Sequence, residues 1–364
     1  VTEDEHLLGA VASALVAIEE LRDLTMFRMP YPPAVQRTVD RFVLHCLRRQ
    51  ALPPRSLPGL VRWGYTRPLG YWPLTLPADL YPEDELLVDD EAGAPTAFCH
   101  EVALWADTDN PLREASPRMA EMAGLAAERN QAWAFSTMRG VLAEYPALTN
   151  DLFNEVRFAH KLGVLDEWLG GFYDEIGLEH EHDGKVFPCA RCRIPLRPIT
   201  EDSWWCEREE CRTGGAVAPG DPLDWDAEVS IQSDRRYRQF VSGPGRAVLR
   251  IADALARPGV TTRTWPVHSP GDLRVEVSDG RGWSAFVVDW HSPALLGRAI
   301  AVAVARFGAD TAVWVVAQYR VDADPEYLRT VREHATAETG PPRVSSEDEF
   351  VDMVRRCDKG SGHG

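Results

Sequence analysis

Four cysteines, Cys189, Cys192, Cys206 and Cys211, follow the pattern Cys-x2-Cys, thirteen residues, Cys-x4-Cys. That spacing supplies two close thiolate pairs, which a tetrahedral ion can bring together. Soft sulfur donors select zinc over magnesium or calcium, and the spacing fits zinc better than an iron–sulfur cluster. Pro188 and Pro195 flank the first pair, and Gly214 and Gly215 follow the second. Each pair is therefore expected on a turn, with residues 194–205 forming the strands of a zinc ribbon. Four thiolates leave no open coordination position, so the ion's expected role is structural. His180 and His182 lie close by, but two complete cysteine pairs make them unnecessary as ligands. Trp204 and Trp205 are read as the small hydrophobic core of the ribbon, with base stacking as the alternative. Cys46, Cys99 and Cys357 are scattered singly, which argues against a disulfide framework.

A second set of candidates lies further along. Asp272 stands just before an alternating segment, Leu273-Arg274-Val275-Glu276-Val277, and Asp289 stands near the end of the next apolar run, two residues before His291. Carboxylates from adjacent strands can converge on a divalent ion, which activates water for phosphodiester hydrolysis. Positions 289 and 291 are expected to project on the same face, because strand side chains alternate. Glu276 could add a carboxylate and Gln318 could orient a phosphate. The competing readings are a turn residue for Asp272, a strand-ending hydrogen-bonded pair for Asp289 and His291, a solvated face for Glu276, and strand-end packing for Gln318.

Four short motifs in this region resemble the PD-(D/E)xK restriction-endonuclease-like superfamily, in particular the restriction-endonuclease-related component found beside PIWI-related proteins in bacterial conflict systems. They are Gly243-Pro244-Gly245 with the following residues 246–255, Trp265-Pro266, Gly271-Asp272-Leu273-Arg274-Val275, and Val288-Asp289-Trp290-His291-Ser292-Pro293. The cysteine cluster upstream and the helical N-terminal half are similar too. The resemblance implies an α/β nuclease-like domain, nucleic acid (DNA, RNA or a hybrid) as partner, and protein partners in a defence complex. It also implies Mg2+ or Mn2+ at Asp272 and Asp289 if the site is active, with His291 assisting water. The family's acid-x-lysine element matches Asp289-Trp290-His291, so histidine stands where lysine is expected, and Ala247 and Val248 occupy the usual place of a helix acid. Two roles remain open: a remodelled metal-dependent nuclease, or a noncatalytic nucleic-acid-binding or assembly subunit.

These candidates need elements to position them. Residues 6–24, 34–49, 119–142 and 148–176 carry helical spacing, while prolines interrupt residues 53–109, which are expected to be loops and small strands. Helices are expected at 234–239 and 246–256, separated at Gly243-Pro244-Gly245. Strands 273–277 and 284–290 should form a hairpin around Ser278-Asp279-Gly280-Arg281-Gly282, followed by a helix at 294–306, a strand at 311–319 and a helix at 325–334. The fold class is α+β and multidomain: a helical region (1–178), a four-cysteine zinc ribbon (179–220), a restriction-endonuclease-like α/β domain (221–357) and a disordered tail (358–364).

Composition sets the remaining bounds. No apolar run approaches the roughly 18 residues of a membrane span, and the acidic opening Glu3-Asp4-Glu5 lacks a signal-peptide pattern, so a cytoplasmic location is expected. The net charge of −17 excludes a surface that attracts nucleic acid everywhere. Between residues 235 and 263, however, seven arginines face one acid, Asp253, which gives either a local basic face or a set of ion pairs.

Overall fold

The structure is a computed structural model that describes residues 2–19, 31–107, 117–224, 230–307, 312–336 and 340–359. It divides into two compact units, one of residues 1–114 with 290–295, the other of residues 115–289 with 296–364.

In the first unit, helix α1 (Glu3–Glu19) opens with a reciprocal cap. The Glu5 N–H donates to Thr2 Oγ1 at 3.2 Å, while the Thr2 N–H donates to Glu5 Oε2 at 2.6 Å. Its buried Leu7, Leu8, Val11 and Leu15 pack against α4 (Ala97–Asp107), where Phe98 and Val102 are buried. Between them α2 (Pro33–Arg48) and α3 (Leu57–Thr66) are joined by an aromatic cluster of Phe42, Trp63 and Trp72, with centroids 5.3–5.8 Å apart. The stretch expected to be loops and small strands therefore holds two helices. Ser56 starts α3 by accepting from the Gly59 N–H, and Thr96 starts α4 by accepting from the Cys99 N–H. Pro58 falls in the first turn of α3, where its missing N–H costs no helical bond. Residues 89–93 form a turn, with Asp89 Oδ1 accepting from the Glu91 and Ala92 N–H groups.

The second unit is built on a five-stranded sheet. Its strands are β1 (Val260–Thr264), β2 (Leu273–Val277), β3 (Gly282–Val288), β4 (Ala312–Val316) and β5 (Arg343–Ser346), in the order β5-β4-β3-β2-β1. β1, β2 and β3 are antiparallel; β3, β4 and β5 are parallel. The hairpin forms as expected, with Leu273 opposite Ala285. Leu273, Val275 and Val277 point into the core. β4 has four consecutive buried residues, Val313 to Val316, as suits a strand covered on both faces.

Helices supply the rest of this core. They are α5 (Pro117–Glu128), α6 (Ala132–Glu144), α7 (Asn150–His160), α8 (Gly243–Ala254), α9 (Pro293–Phe307), α10 (Tyr327–His334) and α11 (Glu347–Lys359). Met122, Met138, Leu142, Val248, Ile251, Leu273, Val275 and Phe350 join in one buried cluster. The helix expected over 119–142 is broken where Asn130 turns left-handed (φ 54°), and that over 148–176 where Lys161 and Gly163 do the same. Gly243-Pro244-Gly245 does not interrupt the chain as expected. A π-type turn over Arg238–Ser242 runs directly into α8, and Pro244 sits in its first turn. Strand β5, which completes the sheet, and helix α11 fall outside the elements expected above, although Ser346 and Glu349 cap α11 reciprocally. Most of the expected disordered tail lies outside the described residues. Among the described residues no helix is long and apolar enough to cross a membrane.

Candidate functional site

The cysteines sit on two turns of different construction. At the first, the Cys189 N–H donates to the Ile194 carbonyl at 2.7 Å and the Arg193 N–H returns a bond to the Cys189 carbonyl at 2.8 Å, with Arg193 left-handed at φ 63°. At the second, Cys211 lies in a single helical turn (Glu209–Arg212), its N–H bonded to the Arg208 carbonyl at 3.1 Å. The antiparallel strands Arg197–Thr200 and Ser203–Trp205 connect the two turns, and Ile194, Leu196, Trp204 and Val217 pack against the sulfurs.

All four Sγ atoms lie within 4.8 Å of one another, and Cys192 and Cys206 are 3.5 Å apart. A tetrahedral ion with sulfur bonds of about 2.3 Å would separate its sulfurs by roughly 3.8 Å, so the cage has the right size. The electrostatics point the same way. S–H groups of Cys192, Cys206 and Cys211 donating to Cys189 drive its thiol far down, and the Cys189 thiolate then pushes Cys192 and Cys206 up. Four buried sulfurs this close cannot all ionise without a cation among them. The cluster can therefore hold a metal ion, and its four sulfurs would complete a tetrahedral shell.

Neither nearby histidine belongs to it. His180 is buried with Nδ1 3.1 Å from the Leu196 carbonyl, and burial, aided by Arg197 and Arg238, pushes its pKa down to about 3. His182 packs its ring against Trp204 and Phe187. Trp204 lies against Phe187 at 4.8 Å, and Trp205 is buried beneath the guanidinium groups of Arg197, Arg212 and Arg235.

Asp272, Asp289 and His291 have three different environments. Gly271 presents Asp272 at the start of β2. A Cβ on Gly271 would come within 2.7 Å of the Ala285 carbonyl, and its φ of 93° is one that glycine favours. Asp272 Oδ1 accepts from Arg139 Nη2 on α6 at 3.2 Å, and Oδ2 accepts from the Val287 N–H at 3.1 Å. Burial pushes the Asp272 carboxyl up, against the pull of Arg139.

Asp289 follows the last residue of β3 and is held more tightly. Its Oδ1 accepts from the Tyr319 hydroxyl at 2.5 Å and from Arg320 Nε at 2.9 Å, and its Oδ2 accepts from Arg208 Nη2 at 3.3 Å. Its side chain is 9 % exposed. Arg208 comes from between the two ligands of the second cysteine turn. The neighbouring loop residues are engaged as well: Glu207 pairs with Arg238 at 2.8 Å, Glu209 with Arg320, and Glu210 with Arg208 and Arg250.

Because β3 ends at Val288, strand alternation does not carry Asp289 and His291 onto one face. His291 belongs to the first unit. Its Nε2 lies 2.7 Å from Glu85 Oε1, and its N–H donates to the buried Glu101, which also accepts from the Ser292 N–H at 3.0 Å at the start of α9. Glu276 pairs with Arg274 at 3.3 Å, and Gln318 is bonded to Asp322 and to the Asp348 N–H. Among the described residues, the four cysteines are the only group of three or more His, Cys, Asp or Glu side chains placed to hold a metal ion. Arg139, Arg208, Tyr319, Arg320 and Glu101 carried no spacing signal. They come from elements remote in sequence, so only the fold reveals them. The arginine-rich segment resolves largely into pairs, Arg235 and Arg238 with Glu207, Arg236 with Asp234, Arg250 with Glu347 and Arg263 with Glu276.

Comparison with known proteins gives two matches. Residues 7–149 match the family model of the pPIWI_RE three-gene island domain Y, and residues 245–362 match that of the REase associating with pPIWI_RE. No curated protein and no solved structure matches the chain. The second match spans all five strands, from β1 to β5, and contains Asp272, Asp289 and His291; the cysteine cluster falls between the two matches. With an island domain matched at one end and a restriction-endonuclease domain at the other, the two matches together support a restriction-endonuclease-related component of a pPIWI_RE system.

Proposed function

We propose that the chain is a nucleic-acid-binding, nuclease-like subunit of a pPIWI_RE defence complex in the cytoplasm, and that its Asp289 site holds structure together rather than cutting. The observation that carries this reading is the closure of the Asp289 carboxylate by Tyr319, Arg320 and Arg208. Two guanidinium groups in that shell oppose entry of a second cation, and Asp272 is similarly matched by Arg139. Histidine at position 291 also lacks the fixed charge of the lysine it replaces. The cysteine cage is assigned a structural zinc ion, as four thiolates and a tetrahedral cage favour zinc and leave no place for water. Zinc there would fix the loop that carries Arg208, and so the Asp289 network. Other proteins of the same island are the expected protein partners.

The test is incubation of the purified chain with labelled single-stranded, duplex and RNA–DNA hybrid substrates in Mg2+ or Mn2+. Salt-sensitive binding without cleavage is expected. Cleavage abolished by Asp289→Ala would overturn the proposal and make Asp272, Asp289 and His291 a catalytic set. Neither binding nor cleavage would leave a protein scaffold.

A further inference from the structure

One cavity of the second unit lies between the cysteine cage and the Asp289 network, and shares residues with both. Beside the cysteine cage lies a hollow of about 270 Å3 lined by Arg191, Glu210, Thr213, Arg246, Arg250 and Tyr319, among others. Three arginines line it, against one carboxylate, Glu210, and the sulfurs of Cys192 and Cys211. Arg250 is paired with Glu347 at 2.8 Å and with Glu210 at 3.2 Å. Arg246 donates Nη2 to the Arg191 carbonyl at 2.7 Å, and Arg191 donates Nη1 to the Glu210 carbonyl at 3.1 Å. Neither Arg191 nor Arg246 has a carboxylate partner among the described residues, so most of their N–H donors remain available. Arg246 is half-buried, and both its burial and the nearby Arg208 work against its charge. A bound anion would offset the repulsion from Arg208, as Cys192 and Glu210 already do in part.

We propose that this cavity binds a phosphate group of a nucleic-acid strand, with Arg246 and Arg191 as its principal donors. The inference rests on the nucleic-acid reading above. Guanidinium groups suit phosphate because their planar donors can bond two of its oxygens at once. The volume equals roughly nine waters' share of liquid, room for a phosphate with part of its sugar. The competing explanation is that Arg246 only balances the charge of the thiolates, since Cys192 also attracts it.

The experiment uses the full chain with its metal bound. Fluorescence polarisation would follow binding of a single-stranded oligonucleotide, with and without a 5′-phosphate, while calorimetry would follow inorganic phosphate. Arg246→Ala is expected to weaken strand binding about tenfold and lower the salt slope by about one. It should also abolish the phosphate heat while leaving zinc retention against a chelator unchanged. Arg246→Lys should restore part of the binding, and Arg263→Ala, outside the cavity, should bind as the parent does. A preference for the phosphorylated oligonucleotide would assign the site to a strand end; equal binding would assign it to the internal backbone. Unchanged binding in Arg246→Ala, or loss of zinc instead of affinity, would overturn the proposal. Phosphate binding without strand binding would keep the cavity and refute the nucleic-acid reading.

Discussion

The cysteine cage and the Asp289 network lie in the same unit and share a loop, yet they treat charge in opposite ways. In the cage, four like groups are gathered within 4.8 Å of one another, so full ionisation requires a cation among them. At Asp289 the counter-charges are already present in Arg208 and Arg320. A cluster of ligands is a metal site only where the protein has not supplied the opposing charge itself. Residues 207–210 connect the two, since each bonds a partner beyond the loop whose ends are Cys206 and Cys211.

The largest effect is expected from the cage. Cys206→Ser should lose the metal and the order of residues 189–219. Structural zinc contributes on the order of 10 kcal/mol in small domains, so metal analysis and hydrogen exchange should both register the change. Full metal content and unchanged exchange would break the comparison at its stronger side.

Next is Asp289→Ala, which leaves Arg208 and Arg320 buried without their shared carboxylate. Removing one partner of a buried pair costs about 3–5 kcal/mol, read as a lower urea midpoint. A loss below about 1 kcal/mol, typical of exposed pairs, would mean that the arginines are not committed to Asp289.

His180 sharpens the same contrast through pH. Its folded pKa, about 3, lies below the ordinary histidine value, so its contribution is fully present above about pH 6.5 and is lost as pH falls toward 3. Between pH 7 and 4.5 the parent should lose about 2 kcal/mol more than His180→Gln. Equal losses in urea titrations at the two pH values would remove His180 from the account.

The smallest effect is reserved for Arg263→Ala. Arg263 and Glu276 are 67 % and 42 % exposed and 3.9 Å apart. Less than about 0.5 kcal/mol is expected, because water screens such a pair; a larger shift in urea midpoint would show that exposed pairs matter here too.

Some of this was legible before any coordinates. Cys189, Cys192, Cys206 and Cys211 lie within 23 residues, so their spacing alone marked them as one cluster. The β2–β3 hairpin was equally plain, because alternation and a glycine turn are local signals. Helices α3 and α4 were hidden by the prolines around them, although Ser56 and Thr96 were there to cap them.

By itself the sequence determined the ligand set of the cage, the hairpin that carries Asp272 and Asp289, and the motifs of a restriction-endonuclease-related chain. The tertiary structure decided what those acids meet. Arg139 reaches Asp272 from 133 positions away, Arg208 reaches Asp289 from 81, and Glu101 reaches His291 from 190. Spacing predicts chemistry when the partners share one turn or hairpin; pairing over such separations is set by how the elements pack, which no local pattern encodes.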